Sequence, residues 1–459
     1  MRKLLIANRG EIACRIARAA KALGIATVAV YSEADSTALH VTAADEAVAI
    51  GPSKPALSYL RVDAIVEAAR QTGADAVHPG YGFLAENSGF AEAVEAAGLI
   101  FVGPTPAQIA MMGDKARARE AAEAAGVPVL PASPRIAQGA LNDLQEAGER
   151  VGFPLLVKAV AGGGGIGMKL VAKSSELRPA VEALQSMAAR AFGDGTAYLE
   201  RYVAAARHVE VQVFGLGDGR AAHFFERECS VQRRFQKILE ESPSPGISPD
   251  TRAAMCAAAQ ALTAQIGYRS AGTMEFVVDD ETGAFFFLEM NTRIQVEHPV
   301  TEMITGLDLV QLQLRLADGE DVAPALEHVK PRGHAIECRL CAEDPERMFL
   351  PSPGKITRLV WSSGSGLRID SGVREGDTVT AFYDSLIAKI IVHANDRTAA
   401  IAAMRSALAG IIIDGIVTNL DFLRRLLEHP AFIAGATTTG FIDMHRATLF
   451  PPRTGETAA

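Results

Sequence analysis

The chain has 459 residues, 49% of them hydrophobic and 6% aromatic, and its 45 basic and 54 acidic side chains leave a formal charge of −9. That length accommodates about three domains, and the hydrophobic share supports a large core. The acidic balance and the lack of a Lys/Arg-rich block argue against a nucleic-acid partner, so any anionic substrate must be drawn in by local cations.

The apolar run at the N-terminus stops at Ala7, far short of a signal-peptide core. No stretch approaches the roughly 18 uncharged apolar residues of a membrane span. Five cysteines at irregular spacing argue against a disulfide framework and for a reducing compartment. Cys338 and Cys341 form a C-x-x-C, but no second pair completes a zinc site, and their segment alternates like a strand. The expectation is a soluble cytoplasmic protein with no membrane partner.

In chain order, residues 4–7 predict a strand and 11–23 a helix closed by Gly24, with Ile12, Ile16, Ala19 and Leu23 on one face. Residues 27–31 predict a strand, 62–70 a helix, 74–77 a strand, 90–97 a helix and 99–102 a strand. This βαβα order predicts a doubly wound parallel sheet spanning residues 1–113. A helix at 114–125 and a connector at 127–131 lead into a small unit at about 132–203, then a mixed α/β region to 330. From Gly333, short alternating runs at 336–340, 355–360, 367–369 and 386–392 predict an antiparallel sheet with helices after it, an α+β domain over 331–447.

Within the small unit, Lys158 precedes Gly162-Gly163-Gly164-Gly165-Ile166-Gly167. Four consecutive glycines cost backbone entropy, which suits a loop whose N–H groups approach phosphate closely. Gly167 is followed by Met168 and Lys169, so the Walker A pattern fails. A dinucleotide fingerprint fits formally, as any glycine run does, yet it does not follow the first strand, where Asn8-Arg9-Gly10 stands. Strand-like flanks at 155–157 and 168–171 predict a hairpin with a glycine tip, a lid over a nucleotide.

The most informative segment runs from 285 to 298. Glu289, Asn291, Arg293, Gln295 and Glu297 recur at every second residue, so an extended chain would put them on one face. Glu289 and Asn291 are oxygen donors suited to Mg²⁺. Arg293 and Gln295 can hold a planar oxyanion through forked N–H donors, and Glu297 is a candidate general base. Glu275 is expected in the neighbouring strand across a turn at 279–283, close enough to join Glu289 and Asn291 around a metal.

Together, Lys115, Lys158, the glycine loop, Glu275 and the Glu289-x-Asn291 pair resemble the ATP-grasp superfamily. More specific stretches resemble biotin carboxylase: IANRGEIACRI (6–16), HPGYGFLAEN (78–87), RHVEVQV (207–213), ECSVQRRFQK (228–237), EMNTRIQVEHPVTEM (289–303) and ECRLCAEDP (337–345). The resemblance implies an ATP-grasp core over 114–330, with a mobile lid at about 132–203, between the two flanking domains. It implies that Lys115 and Lys158 contact ATP, Gly164 and Gly165 cover its phosphates, Glu200, Arg201 and Val203 line the adenine pocket, and His208 and Gln232 meet the ribose. Glu275, Glu289 and Asn291 would bind Mg²⁺ or Mn²⁺. Lys237, Arg293, Gln295 and the Val296 N–H would hold bicarbonate, with Glu297 as base. Arg339 would steady the biotin enolate beside Tyr81.

Two departures stand out: Phe235 occupies a position where the family usually has His, and Ile166 one that is usually basic. A phenyl ring cannot hydrogen-bond the ribose, so weaker ATP affinity or an altered ribose contact is expected. The chain's sole Met-Lys pair, Met168-Lys169, lies in the lid, which implies a biotin carried by a separate carrier protein and consumed by carboxyltransferase subunits. The implied setting is a homodimeric subunit of a carboxylase such as acetyl-CoA carboxylase, in fatty acid biosynthesis. The alternative is a paralogue that binds nucleotide without turnover.

Overall fold

The computed structural model describes residues 1–160 and 167–450. Its first sheet is parallel, with strands in the order Glu46–Gly51, Ala26–Ser32, Lys3–Ile6, Ala76–His78, Ile100–Phe101. Helix Gly10–Ala22 packs on it through Ile12, Ile16, Ala19 and Ala20, the apolar face that its spacing predicts. Helix Val62–Thr72 ends at Gly73, whose φ of 66° is a left-handed stop. The strand order reverses between Lys3–Ile6 and Ala76–His78, so a crevice opens where Asn8–Glu11 and Tyr81–Phe83 leave those two strands.

The central sheet has eight strands, in the order Phe285–Asn291, Arg269–Asp279, Ala206–Leu216, Ala221–Arg233, Gln236–Ser242, His334–Cys341, Leu386–Ala394, Leu367–Ser371. Every pairing in it is antiparallel. Its last three strands come from the C-terminal region, and Gln236–Ser242 pairs directly with His334–Cys341. One ladder therefore runs through both regions and brings residues more than a hundred positions apart to the same face.

Residues Leu155–Ala159, Met168–Val171 and Ala197–Arg201 form a separate three-stranded sheet, with Leu155–Ala159 in the middle. Helices Leu144–Val151 and Leu177–Phe192 cover it, and Leu155, Val157, Val171, Leu177, Val181 and Leu199 form its own core. The expected hairpin is present, while its tip, with Gly164, Gly165 and Ile166, lies outside the described residues.

The elements not anticipated include strand Glu46–Gly51 and helices Leu39–Ala43, Pro106–Gly113 and Pro249–Gln265. Two expectations need correction. The run at 355–360 is not one strand of the C-terminal sheet, since Gly354–Lys355 and Arg358–Val360 pair in two separate two-stranded sheets. The row from Glu289 to Glu297 is not a continuous strand, because the strand ends at Asn291 and a turn leads into helix His298–Thr305. The row still converges, but its second half is gathered by that turn.

Candidate active site

A cavity of about 710 Å³ opens between the crevice of the parallel sheet and the central sheet. Tyr81, His208, Lys237, Glu275, Glu289, Asn291, Arg293, Gln295, Val296 and Arg339 all line it. Strand register explains part of this meeting: Glu275 stands opposite Glu289 on one side and opposite Glu210 on the other.

Lys237 is the hub. Its ammonium donates to Glu297 at 2.7 Å, to Glu275 at 2.8 Å and to Glu210 at 2.5 Å. Glu297 is fully buried just behind the lining, and its other oxygen accepts from Arg339 Nη2 at 3.0 Å. Arg339 also donates to Glu240 at 2.6 Å. Burial alone would raise the Glu297 pKa, but Lys237, Arg339 and Arg227 outweigh it and hold the carboxyl well below its ordinary value. Arg227 is itself wholly buried and spends its donors on Glu210, Gln212, Thr273 and Thr301, which fixes the floor of the site. Removing either member of such a buried pair costs about 3–5 kcal/mol.

Arg293 sits at the cavity edge and donates to Glu86 at 3.0 Å, to Asn291 Oδ1 at 2.8 Å and to Gln295 Oε1 at 3.3 Å. Gln295 and Asn291 in turn donate to Glu275 at 3.1 and 3.0 Å. Among the described residues the Val296 N–H has no acceptor in the chain, and Val296 lines the cavity. Cations, an amide and a free N–H around a buried carboxylate make a receptor for a small oxyanion with a base beside it.

The donor set at Glu275 and Glu289 fits a divalent cation. These two carboxylates face each other across neighbouring strands with the Asn291 amide next to them, an all-oxygen set suited to Mg²⁺. Burial and the Glu275 charge push the Glu289 carboxyl above its ordinary pKa, a penalty that a cation would relieve. His208, Glu210 and Glu275 also offer ligand atoms within 4.8 Å of one another, as do Glu210, Cys229 and Glu297. The Lys237 ammonium bonds to every carboxylate of these two groups, whereas in the Glu275–Glu289–Asn291 set it bonds to Glu275 alone, so neither group is a better cation site.

The remaining predicted residues spread away from the hub. His208 Nε2 lies 3.0 Å from Glu275 and its Nδ1 lies 3.4 Å from Gln232 Nε2, so those two sit together at the cluster's margin. Lys158 is ion-paired with Glu200 inside the three-stranded unit. Arg201 donates to the Val151 carbonyl at 2.7 Å, which turns its guanidinium onto the adjoining helix end. Val203 is half-buried in the link to strand Ala206–Leu216. Lys115 opens helix Lys115–Ala124, and its charge acts on Glu289. Cys338 is buried and Cys341 half-buried at the cavity wall; both thiols are free. Phe235 is 66% exposed at the tip of a two-residue hairpin, where it and Arg234 both have positive φ.

Sequence reasoning did not single out Glu210, Glu240, Arg227, Glu86 or Glu11. Three of them sit inside quoted stretches: Glu210 in RHVEVQV, Glu86 in HPGYGFLAEN and Glu11 in IANRGEIACRI.

Comparison with known proteins adds independent findings. Residues 1–109 match the biotin carboxylase N-terminal domain, 114–324 the ATP-binding domain of the carbamoyl-phosphate synthase L chain, and 337–444 the biotin carboxylase C-terminal domain. Biotin carboxylase 1 of Bacillus subtilis is 48% identical, over 97% of this chain and 99% of that protein. The mitochondrial methylcrotonoyl-CoA carboxylase subunit alpha of Dictyostelium discoideum is 47% identical over 98% of this chain, which spans only 64% of that longer relative. Among solved structures, the biotin carboxylase domain dimer of Hydrogenobacter thermophilus 2-oxoglutarate carboxylase, in complex with MgADP, ADP and bicarbonate, superposes with a TM-score of 0.89 at 44% identity, covering 100% of this chain and 99% of that one. Among the described residues, no helix is long and apolar enough to cross a membrane.

Proposed function

Since this chain belongs to the biotin carboxylase family and has its ATP-grasp fold, we propose that it uses ATP to activate bicarbonate and carboxylates a biotin borne by a separate carrier protein. The observation that carries this reading is the Lys237–Glu297–Arg339 cluster at the cavity floor, one base held between two cations.

Bicarbonate docks against Lys237, Arg293, Gln295 and the free Val296 N–H. Glu297 is ionised and so in the form that accepts a proton. An arriving anion shares the cations that depress its pKa, which strengthens it as a base at the moment of need. Carbonate oxygen then forms a bond to the γ-phosphorus of ATP, the bond to the bridging oxygen breaks, and ADP leaves. Lys115 and Lys158 would contact the phosphates and the base region, Gly164 and Gly165, outside the described residues, are assigned to the phosphates by family resemblance, and Glu200, Arg201, Val203, His208 and Gln232 would hold the nucleoside. Glu275, Glu289 and Asn291 would hold Mg²⁺, which neutralises charge on the ATP phosphates. Carboxyphosphate breaks down to CO₂ and phosphate, phosphate takes the N1 proton of biotin, and N1 then bonds to the carbon of CO₂ as one C=O pair moves onto oxygen and the enolate returns to the ureido carbonyl. Arg339 faces the resulting enolate oxygen, and Tyr81 lies against the ureido ring.

A homodimer is proposed as the assembly, and a carboxyltransferase as the consumer of carboxybiotin. The acceptor proposed is an acyl-CoA, acetyl-CoA first; the methylcrotonoyl-CoA carboxylase relative supports the acyl-CoA class, and the 2-oxoglutarate carboxylase structure belongs to a carboxylase of a 2-oxo acid. Phe235 is the one feature that favours a non-catalytic binder, and it sits beside a complete Lys237, Arg293, Glu297 and Arg339 set. The test is ATP hydrolysis that requires bicarbonate and Mg²⁺ and rises with free biotin. Hydrolysis by folded protein that ignores both bicarbonate and biotin would refute the proposal.

A further inference from the structure

Lys389 has no part in the chemistry proposed above. It lies on strand Leu386–Ala394 with no exposed surface, and its ammonium donates to the Val296 carbonyl at 2.9 Å and lies 3.3 Å from Glu11 Oε1. One residue earlier, the Gln295 carbonyl lies 2.7 Å from His298 Nδ1. Burial, reinforced by the Lys389 charge, drives the His298 pKa well below its ordinary value, so the ring is neutral. A neutral imidazole meets a carbonyl with its N–H tautomer.

Two successive peptide planes are therefore held by their oxygens. In a trans peptide the C=O and N–H point in opposite directions. The plane held by His298 is the one that carries the Val296 N–H, which has no acceptor among the described residues. The plane held by Lys389 sets the direction in which Glu297 leaves the chain. Glu11 also accepts from the Tyr81 hydroxyl, and Tyr81 lines the far side of the cavity.

We infer that Lys389 is a positioning residue that locks the bicarbonate-holding turn at Gln295–Glu297 and ties it, through Glu11, to Tyr81 at the biotin end. This rests on the reading that the turn binds bicarbonate. A lysine that merely balanced Asp370, its register partner, and the buried Glu337 beside it would affect stability and every substrate alike.

The test is steady-state kinetics of bicarbonate-dependent ATP hydrolysis on the full chain, with thermal unfolding followed in parallel. Lys389→Met raises KM for bicarbonate about tenfold and leaves KM for ATP within about twofold, while Lys389→Arg, which can still donate to both oxygens, recovers most of the loss. Glu11→Gln raises KM for biotin more than KM for bicarbonate. Should Lys389→Met fail to fold, Lys389→Gln is read by the same ratio. A folded variant with an unchanged KM for bicarbonate, or with both KM values rising together, overturns the inference. Wild-type protein without bicarbonate-dependent hydrolysis overturns the underlying reading instead, which keeps the two failures apart.

Discussion

The cavity floor and the three-stranded unit each hold half of the expected site, and they are built differently. On the floor, Lys237, Arg227 and Arg339 are bonded to Glu210 and Glu240 across strands of one continuous sheet and to Glu297 in the turn after its edge strand, and the three carboxylates have no exposed surface. In the three-stranded unit, Lys158 and Glu200 pair with each other around a core that the unit does not share. The contrast is between ion pairs built into a continuous sheet and one held in a separate unit; in the proposed function the first group receives bicarbonate and the second grips the nucleotide. Preorganised charge is worth most where charge develops in the reaction, so the floor should govern turnover and the unit should govern nucleotide affinity.

That division can be broken most sharply at Glu297. Glu297→Gln keeps the shape and removes the base, so kcat for bicarbonate-dependent ATP cleavage falls by about 10²–10⁴, while KM for ATP stays within about twofold. A loss confined to KM for ATP would reverse the assignment. Next in size, Lys158→Met removes a charge-assisted contact and raises KM for ATP about tenfold with kcat nearly intact. Steady-state titration of ATP at saturating bicarbonate separates the two.

Phe235→His gives a smaller effect, a KM for ATP lowered about fivefold, the value of one recovered hydrogen bond. The backbone should accept it, because His tolerates the left-handed region better than most residues and φ at 235 is 66°. No change in KM would show that the ribose contact lies elsewhere.

The smallest effect concerns pH. Burial, opposed by Arg339 and reinforced by the Glu297 charge, raises the Glu240 carboxyl to about 7. Glu240 is then neutral below that value and anionic above it, where it draws more of the Arg339 charge to itself. The biotin-dependent rate should therefore decline about threefold between about pH 6 and pH 8, and Glu240→Gln should flatten that step. An unchanged profile in the variant would remove Glu240 from the account.

What could be seen in the sequence follows from how local each signal is. The row from Glu289 to Glu297 was visible from its alternation, although only Glu289 and Asn291 owe their common face to strand geometry. Helix Pro106–Gly113 carried its signals in plain sight, with Pro106 at its first turn and a capping box between Thr105 and Gln108; Gly-Pro-Thr-Pro resembles plain loop punctuation and hides them. Strand Glu46–Gly51 is largely exposed at a sheet edge, so its apolar pattern is weak. Glu240 and Arg227 were not legible as site residues, and Glu210 only through its place in RHVEVQV. Each reads as an ordinary strand position until register sets Glu210 opposite Glu275 and Glu240 opposite Glu337. Lys389 is the extreme case, meeting Glu11 and Val296 from a distant strand.

The central claim is that the floor activates bicarbonate for transfer to biotin. Transfer of label from isotopic bicarbonate to free biotin, with MgATP, tests it most directly. The account predicts labelled carboxybiotin that requires ATP and disappears in Glu297→Gln while nucleotide binding persists. Labelling equal in wild type and Glu297→Gln, or none from folded wild-type protein that binds ATP, would contradict it.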